Sequence, residues 1–90
     1  MTKIGVHVLV SGVVQDVGFR FFTVREAERL GVVGHVRNLT SGDVEVEAYG
    51  EPEAIKSLLA WLEHGPKTAQ VEHLVAKEIP VKHLISFTSD

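Results

Sequence analysis

The chain changes direction at Ser11-Gly12-Val13-Val14-Gln15-Asp16-Val17-Gly18-Phe19-Arg20, between a stretch with strand periodicity and one with helix periodicity. Where a strand leads into a helix through glycine-containing backbone, several main-chain N–H groups lack helical partners, and the helix dipole adds positive potential. Arg20 places a fixed positive charge at the same point. The stretch is therefore predicted to bind an anion, although an ordinary loop followed by a surface arginine has the same spacing.

The segments on either side of this loop have opposite periodicities. Before it, alternating apolar residues predict a central strand that contains Ile4, Val6, Val8 and Val10. After it, inward positions with helical spacing fall at Arg20, Thr23, Val24, Ala27 and Leu30. Gly31 follows where a C-cap is expected, so the first helix is predicted over about residues 20–31.

A hairpin and a second helix are predicted next. Alternation resumes at Val32, breaks in the turn-forming residues 39–43 and returns from Val44, which places Asn38 at a strand end beside the turn. Pro52 is suited to a first helical turn. The apolar stripe of that helix comprises Ile55, Leu58, Leu59 and Leu62, and Gly65-Pro66 ends it.

The last part of the chain is predicted to add one or two strands. Residues 70–79 resemble a strand whose apolar positions change face, which predicts a bulge, and residues 84–88 could form a short edge strand. The order β-α-β-β-α-β predicts an α+β, ferredoxin-like sandwich. In it, two helices pack on one face of a four- to five-stranded antiparallel sheet, and residues 1–90 form a single domain.

Composition excludes several classes of function. A net charge of −3 argues against non-specific nucleic-acid binding, and the absence of cysteine excludes disulfides, thiolate metal sites and a cysteine nucleophile. No segment approaches the roughly 18 apolar residues of a membrane span. We therefore expect a soluble, cytoplasmic monomer that binds neither nucleic acid nor membrane.

The charged residues outside the loop give no metal motif. The five histidines, His7, His35, His64, His73 and His83, show no metal-ligand spacing and are interpreted as surface or partly buried residues. The strand residues Glu45 and Glu47 are interpreted as solvent-facing charges, and Arg37 as a solvated charge. No metal or cofactor is expected.

Two motifs together resemble the acylphosphatase family. Residues 10–20 resemble its phosphate-binding run Gly-x-Val-Gln-Gly-Val-x-Phe-Arg, and residues 34–44, with Gly50 after them, resemble its second motif. The motifs have the family's order and spacing, and the predicted topology agrees with the family fold.

The resemblance implies hydrolysis of acyl phosphates to carboxylate and inorganic phosphate without metal or cofactor. It implies that Arg20 and the loop amides hold the phosphoryl group, while Asn38 positions the attacking water. The partner is then a small-molecule acyl phosphate, with phosphate or other anions also bound by the loop. The implied loop comprises Val14, Gln15, Asp16, Val17, Gly18, Phe19 and Arg20.

Three features depart from the family pattern. Asp16 replaces a glycine, His35 replaces an aromatic residue, and Phe87-Thr88-Ser89-Asp90 lacks the usual closing basic or aromatic residue. Aspartate tolerates a positive φ, so the loop can form, but its charge is expected to weaken phosphate binding unless the side chain turns toward water.

Two functions of other classes stay open. One is a non-catalytic anion- or ligand-binding module of ferredoxin-like fold, which would follow if Asp16 abolished turnover. The other is an RNA-recognition-type domain, which ranks last because the strands lack clustered exposed aromatic residues. Asn38 alone would also suit a simple turn-former.

Overall fold

The computed structural model describes residues 2–90. Along the chain the elements are β1 (Ile4–Val13), α1 (Phe19–Leu30), β2 (Val33–Asn38), β3 (Val44–Gly50), α2 (Pro52–Leu62), β4 (Gln70–Ile79) and β5 (Phe87–Ser89). Over this described range, no helix has both the length and the apolar character needed to cross a membrane.

The strands form one sheet in the order β4-β1-β3-β2-β5, and both helices pack on one face of it. This confirms the predicted ferredoxin-like sandwich. The expectation of a purely antiparallel sheet is wrong at one pair, since β5 lies parallel to β2. The reason is that β4 ends at the end of the sheet where β2 begins, and the chain then crosses to the far edge before entering β5.

The core is built from the alternating faces predicted for the strands. Buried residues of β1, β2 and β3 on the helix-bearing face are Val6, Val8, Val10, Val36, Val44, Val46 and Ala48. The helix α2 buries Ile55, Leu58 and Leu62 against them, as its apolar stripe predicted. Trp61 lies at the border of that stripe, and its ring centroid is 5.9 Å from the ring centroid of Phe19.

The first helix begins one residue earlier than predicted and buries a slightly different stripe. Its N-cap is Gly18, and its fully buried residues are Phe19, Thr23 and Ala27. Arg20 is half-buried at the edge of that stripe rather than within it. Gly31 ends the helix with φ of 73°, as the predicted C-cap requires.

The predicted bulge lies between β1 and β4. Ser11 pairs with His73 but Gly12 pairs with Val71, so the register shifts by one residue at Ser11/Gly12. Beyond the shift, β1 continues to Val13. The connection to α1 is therefore residues 14–18, shorter than the sequence indicated.

The main chains of β2 and β3 approach each other closely at Gly34 of β2. Its φ is 144°, and a Cβ atom there would lie 1.9 Å from the main-chain oxygen of Glu47. Because the contacting atom belongs to the backbone of the neighbouring strand, it cannot rotate away. Gly42, in the β2–β3 turn, also has a positive φ of 99°, but a Cβ atom there would have no neighbour within 4 Å among residues 2–90.

We predict that Gly34→Ala lowers the free energy of unfolding by roughly 2–5 kcal/mol, from backbone strain and a main-chain clash together. Gly42→Ala is the matched control, because it adds strain without a clash and should cost only about 1–3 kcal/mol. Urea denaturation of both variants provides the measurement. Equal losses in the two variants would show that the close strand approach at Gly34 is unimportant.

Candidate active site

The backbone of the β1–α1 loop enters the left-handed region at two residues. Asp16 has φ of 63° and Gly18 has φ of 81°, both in the left-handed region. Within the described chain, Asp16 is the one non-glycine residue with a positive φ. Main-chain N–H groups of residues 15–20 donate to no main-chain carbonyl within residues 2–90. These donors lie at the positive end of α1, where an anion is stabilised.

Arg20 is the second residue of α1, and a hydrogen bond holds its side chain. Its Nη1 donates to the main-chain oxygen of Asp90 at 2.6 Å, so the last residues of the chain contact the loop. A guanidinium carries five N–H donors, which leaves others of Arg20 free to contact an anion at the same time.

Gln15 joins the loop to the β2–β3 hairpin. Its side-chain amide Nε2 donates to the main-chain oxygens of Leu39, at 2.7 Å, and of Asp43, at 2.8 Å. Leu39 directly follows Asn38, so this pair of hydrogen bonds fixes the end of β2 relative to the loop. On the other side of the loop, the Thr68 hydroxyl donates to the main-chain oxygen of Val17.

Asn38 ends β2 with an unsatisfied acceptor. Its amide oxygen Oδ1 is buried, and no donor from residues 2–90 reaches it. An unpaired buried acceptor costs about 1–3 kcal/mol, so such atoms in native structures usually mark a position for water or ligand. An O–H or N–H donor from outside the chain would satisfy this oxygen.

These features meet at one cavity of about 470 Å³. Of the residues predicted from sequence, those that line it are Val14, Asp16, Gly18, Phe19, Arg20 and Asn38. Gln15 and Val17 are not among the lining residues. The Gln15 side chain donates to the hairpin, and the Val17 side chain packs against the core. Asp16 is exposed at the cavity rim.

The cavity also has a wall that sequence reasoning missed. Its members are Phe21, Val24, Arg25, Glu28 and Ser89. The first four lie on one face of α1 at three- and four-residue intervals, which is a signal that the sequence contains. Arg25 lies 5.9 Å from the ring centroid of Phe21, close enough for a cation–π contact. Ser89 was not detectable, because the pairing of β5 could not be predicted.

The chain is similar to known proteins over almost its whole length. The Acylphosphatase family model matches residues 6–88. The chain is 53% identical to an acylphosphatase of Psychromonas ingrahamii over 87 residues, which cover 97% of each chain.

Two solved structures superimpose closely. An acylphosphatase from Coxiella burnetii has a TM-score of 0.94 at 41% identity, covering 98% of this chain and 93% of that one. The acylphosphatase from Bacillus subtilis also has a TM-score of 0.94, at 28% identity, covering 97% of this chain and 98% of that one. With nearly full coverage in sequence and structure, the chain belongs to the acylphosphatase family of hydrolases.

Proposed function

We propose that this chain hydrolyses small-molecule acyl phosphates to a carboxylate and inorganic phosphate, by attack of water on phosphorus without metal or cofactor. One observation carries the proposal. Loop residues whose main-chain N–H groups are unpaired, Arg20, and Asn38, whose buried Oδ1 lacks a donor, all line the same cavity. Residues 1–90 act in this proposal as one domain and as a monomer.

Arg20 and the loop amides hold the phosphoryl group. Phosphoryl transfer spreads negative charge over three equatorial oxygens, and fixed donors that are already in place stabilise that charge. The guanidinium of Arg20 binds two of these oxygens through parallel N–H donors and stays charged at any relevant pH. The N–H groups of residues 15–20 supply further donors without added negative charge.

Asn38 holds the attacking water. Its Oδ1 accepts a hydrogen bond from the water, which satisfies the buried acceptor and directs the oxygen lone pair toward phosphorus. The bond that breaks joins phosphorus to the acyl oxygen, and the electron pair leaves with the carboxylate. Because a carboxylate is a good leaving group, no general acid is needed; a phosphoryl oxygen takes the water proton.

Substitution tests the roles of the Arg20 and Asn38 side chains. With benzoyl phosphate as substrate and a chelator present, Arg20→Ala and Asn38→Ala should each lower kcat/KM by roughly 10²–10³-fold, the usual effect of removing one such donor or positioning group. Arg29→Ala is the matched control, because Arg29 is exposed on the same helix and pairs with Glu26, away from the cavity.

The outcomes separate the proposal from its main alternative. An inactive wild type that still binds inorganic phosphate would identify a non-catalytic anion-binding module of the same fold. Full activity in both Arg20→Ala and Asn38→Ala would remove the two residues from the mechanism. A loss in Arg29→Ala as large as in Arg20→Ala would point to a general effect of charge on α1.

Asp16 tunes this site through its charge. The residue is exposed, so its carboxylate acts through a water-like medium. At about 5 Å in such a medium, repulsion from one negative charge is roughly 0.8 kcal/mol, or about fourfold in binding. The proposal is therefore a weakened but active enzyme, since the positive φ of the loop is retained.

Asp16→Asn tests this repulsion, because asparagine tolerates the same left-handed backbone while lacking the charge. We expect KM for benzoyl phosphate to fall about 3- to 10-fold at low salt, and the difference from wild type to shrink at high salt. Asp16→Gly should behave similarly. An unchanged KM in Asp16→Asn at low salt would contradict the repulsion.

Gln15 positions the two halves of the site without contacting substrate. Gln15→Ala removes both hydrogen bonds to the hairpin, so we expect kcat to fall by about 10- to 100-fold as Asn38 loses its placement, with a much smaller change in KM. Steady-state kinetics on benzoyl phosphate separates the two constants. A variant that loses thermal stability but keeps kcat would show that Gln15 has a structural role alone.

A further inference from the structure

A compact set of metal-ligating side chains lies on the sheet face opposite the helices. There, His7, Glu47 and His35 stand side by side on β1, β3 and β2, because Glu47 pairs in register with both histidines. Glu45, two residues earlier on β3, lies on the same face. The histidines show no metal-ligand spacing along the sequence, but the register of three strands brings these residues together.

We propose that His35, Glu45 and Glu47 bind a divalent transition-metal ion, and that Zn²⁺ is such an ion. One ligand atom from each of these three lies within 4.8 Å of the others. The Nε2 atom of His35 is 3.8 Å from Glu45 Oε1 and 3.8 Å from Glu47 Oε2. Ligand atoms around tetrahedral zinc are separated by about 3.3 Å, so binding requires the three side chains to close in by small rotations.

Neighbouring side chains already orient the two carboxylates. His7 Nε2 donates to Glu45 Oε2 at 2.9 Å, and the Tyr49 hydroxyl donates to Glu47 Oε1 at 2.8 Å. Partners of this kind fix ligand geometry in protein metal sites. The positions are also rigid, since all of them lie on paired strands.

Both carboxylates are in the ionised state that a metal requires. Burial acts to raise the pKa of Glu45, but hydrogen bonds with His7 and Arg37 outweigh it, and the pKa lies below its usual value. The pKa of Glu47 is likewise lowered, with the hydrogen bond from Tyr49 opposing burial. Burial and the contact with Glu47 raise the pKa of Tyr49 to about 12, so its hydroxyl remains a donor.

Two exposed cationic side chains compete with the ion for these carboxylates. Arg37 Nε lies 2.6 Å from Glu45 Oε1, and Lys82 Nζ lies 3.6 Å from Glu47 Oε1. Their side chains are 50% and 65% exposed, whereas those of Glu45 and Glu47 are only 12% and 20% exposed. The two glutamates lie on the solvent face of the sheet, as interpreted from the sequence, but neighbouring side chains leave them only partly exposed.

One side of the cluster, at Glu47, borders a surface cavity. This cavity has a volume of about 370 Å³ and is lined by His7, Glu47, Lys77, Ile79, Pro80 and Lys82. Imidazole together with carboxylate favours zinc and its first-row neighbours over magnesium and calcium, which prefer oxygen ligands alone. The proposed ion lies on the sheet face opposite the helices. It takes no part in the proposed phosphate chemistry.

Calorimetric titration of the untagged 90-residue protein with Zn²⁺, in a phosphate-free buffer, tests the site. We expect saturable binding of one ion per chain, and no comparable binding of Mg²⁺. His35→Ala and Glu47→Gln should each weaken Zn²⁺ binding at least ~10-fold. The matched controls His64→Ala and Glu53→Gln, both exposed on or beside α2, should bind as wild type does.

Zn²⁺ binding to Lys82→Ala distinguishes a metal site from a network of ion pairs. Removing this competing cation should leave Zn²⁺ binding as tight as in wild type, or tighter. Absence of saturable binding to wild type, equal weakening in His64→Ala, or weaker binding in Lys82→Ala would each overturn the proposal. Circular dichroism of every variant in chelator shows whether an observed loss reflects unfolding.

Discussion

The candidate site depends on one side-chain amide, that of Gln15. Both of its N–H donors are used on main-chain oxygens of the β2–β3 turn, at Leu39 and Asp43. The loop and the hairpin come from separate parts of the chain, and this pair of hydrogen bonds holds them at a fixed distance. Because Leu39 follows Asn38, the same contact sets where the Asn38 side chain lies relative to the loop donors. Thr68 restrains the opposite side of the loop at Val17.

The loop carries local costs that the rest of the fold supports. A non-glycine residue in the left-handed region, main-chain donors without partners and a buried unpaired oxygen each oppose folding. They are held in place by a close-packed core, in which Val14 and Phe19 bury the two ends of the loop. Such features concentrate where a protein binds something, because a bound phosphoryl group and a water would satisfy the same groups.

Sequence alone predicted most of this arrangement. Alternation in β1 and the stripe of α2 determined which faces are buried, and the glycine-containing loop before Arg20 indicated an anion site. What it missed depends on contacts between distant segments. The parallel pairing of β5 and the place of Ser89 in the cavity wall follow from where the chain crosses the sheet. The register that joins His35 to Glu47 cannot be inferred from their separation in sequence.

In the proposed site, the loop donors hold the phosphoryl group and Asn38 lies beside it. Titration of ¹⁵N-labelled protein with inorganic phosphate, followed by NMR, tests this arrangement most directly. We predict that the main-chain N–H signals of residues 15–20 and the side-chain NH₂ signals of Asn38 shift together, with one dissociation constant. Loop signals that shift while those of Asn38 stay fixed, or that give a different constant, would contradict the account.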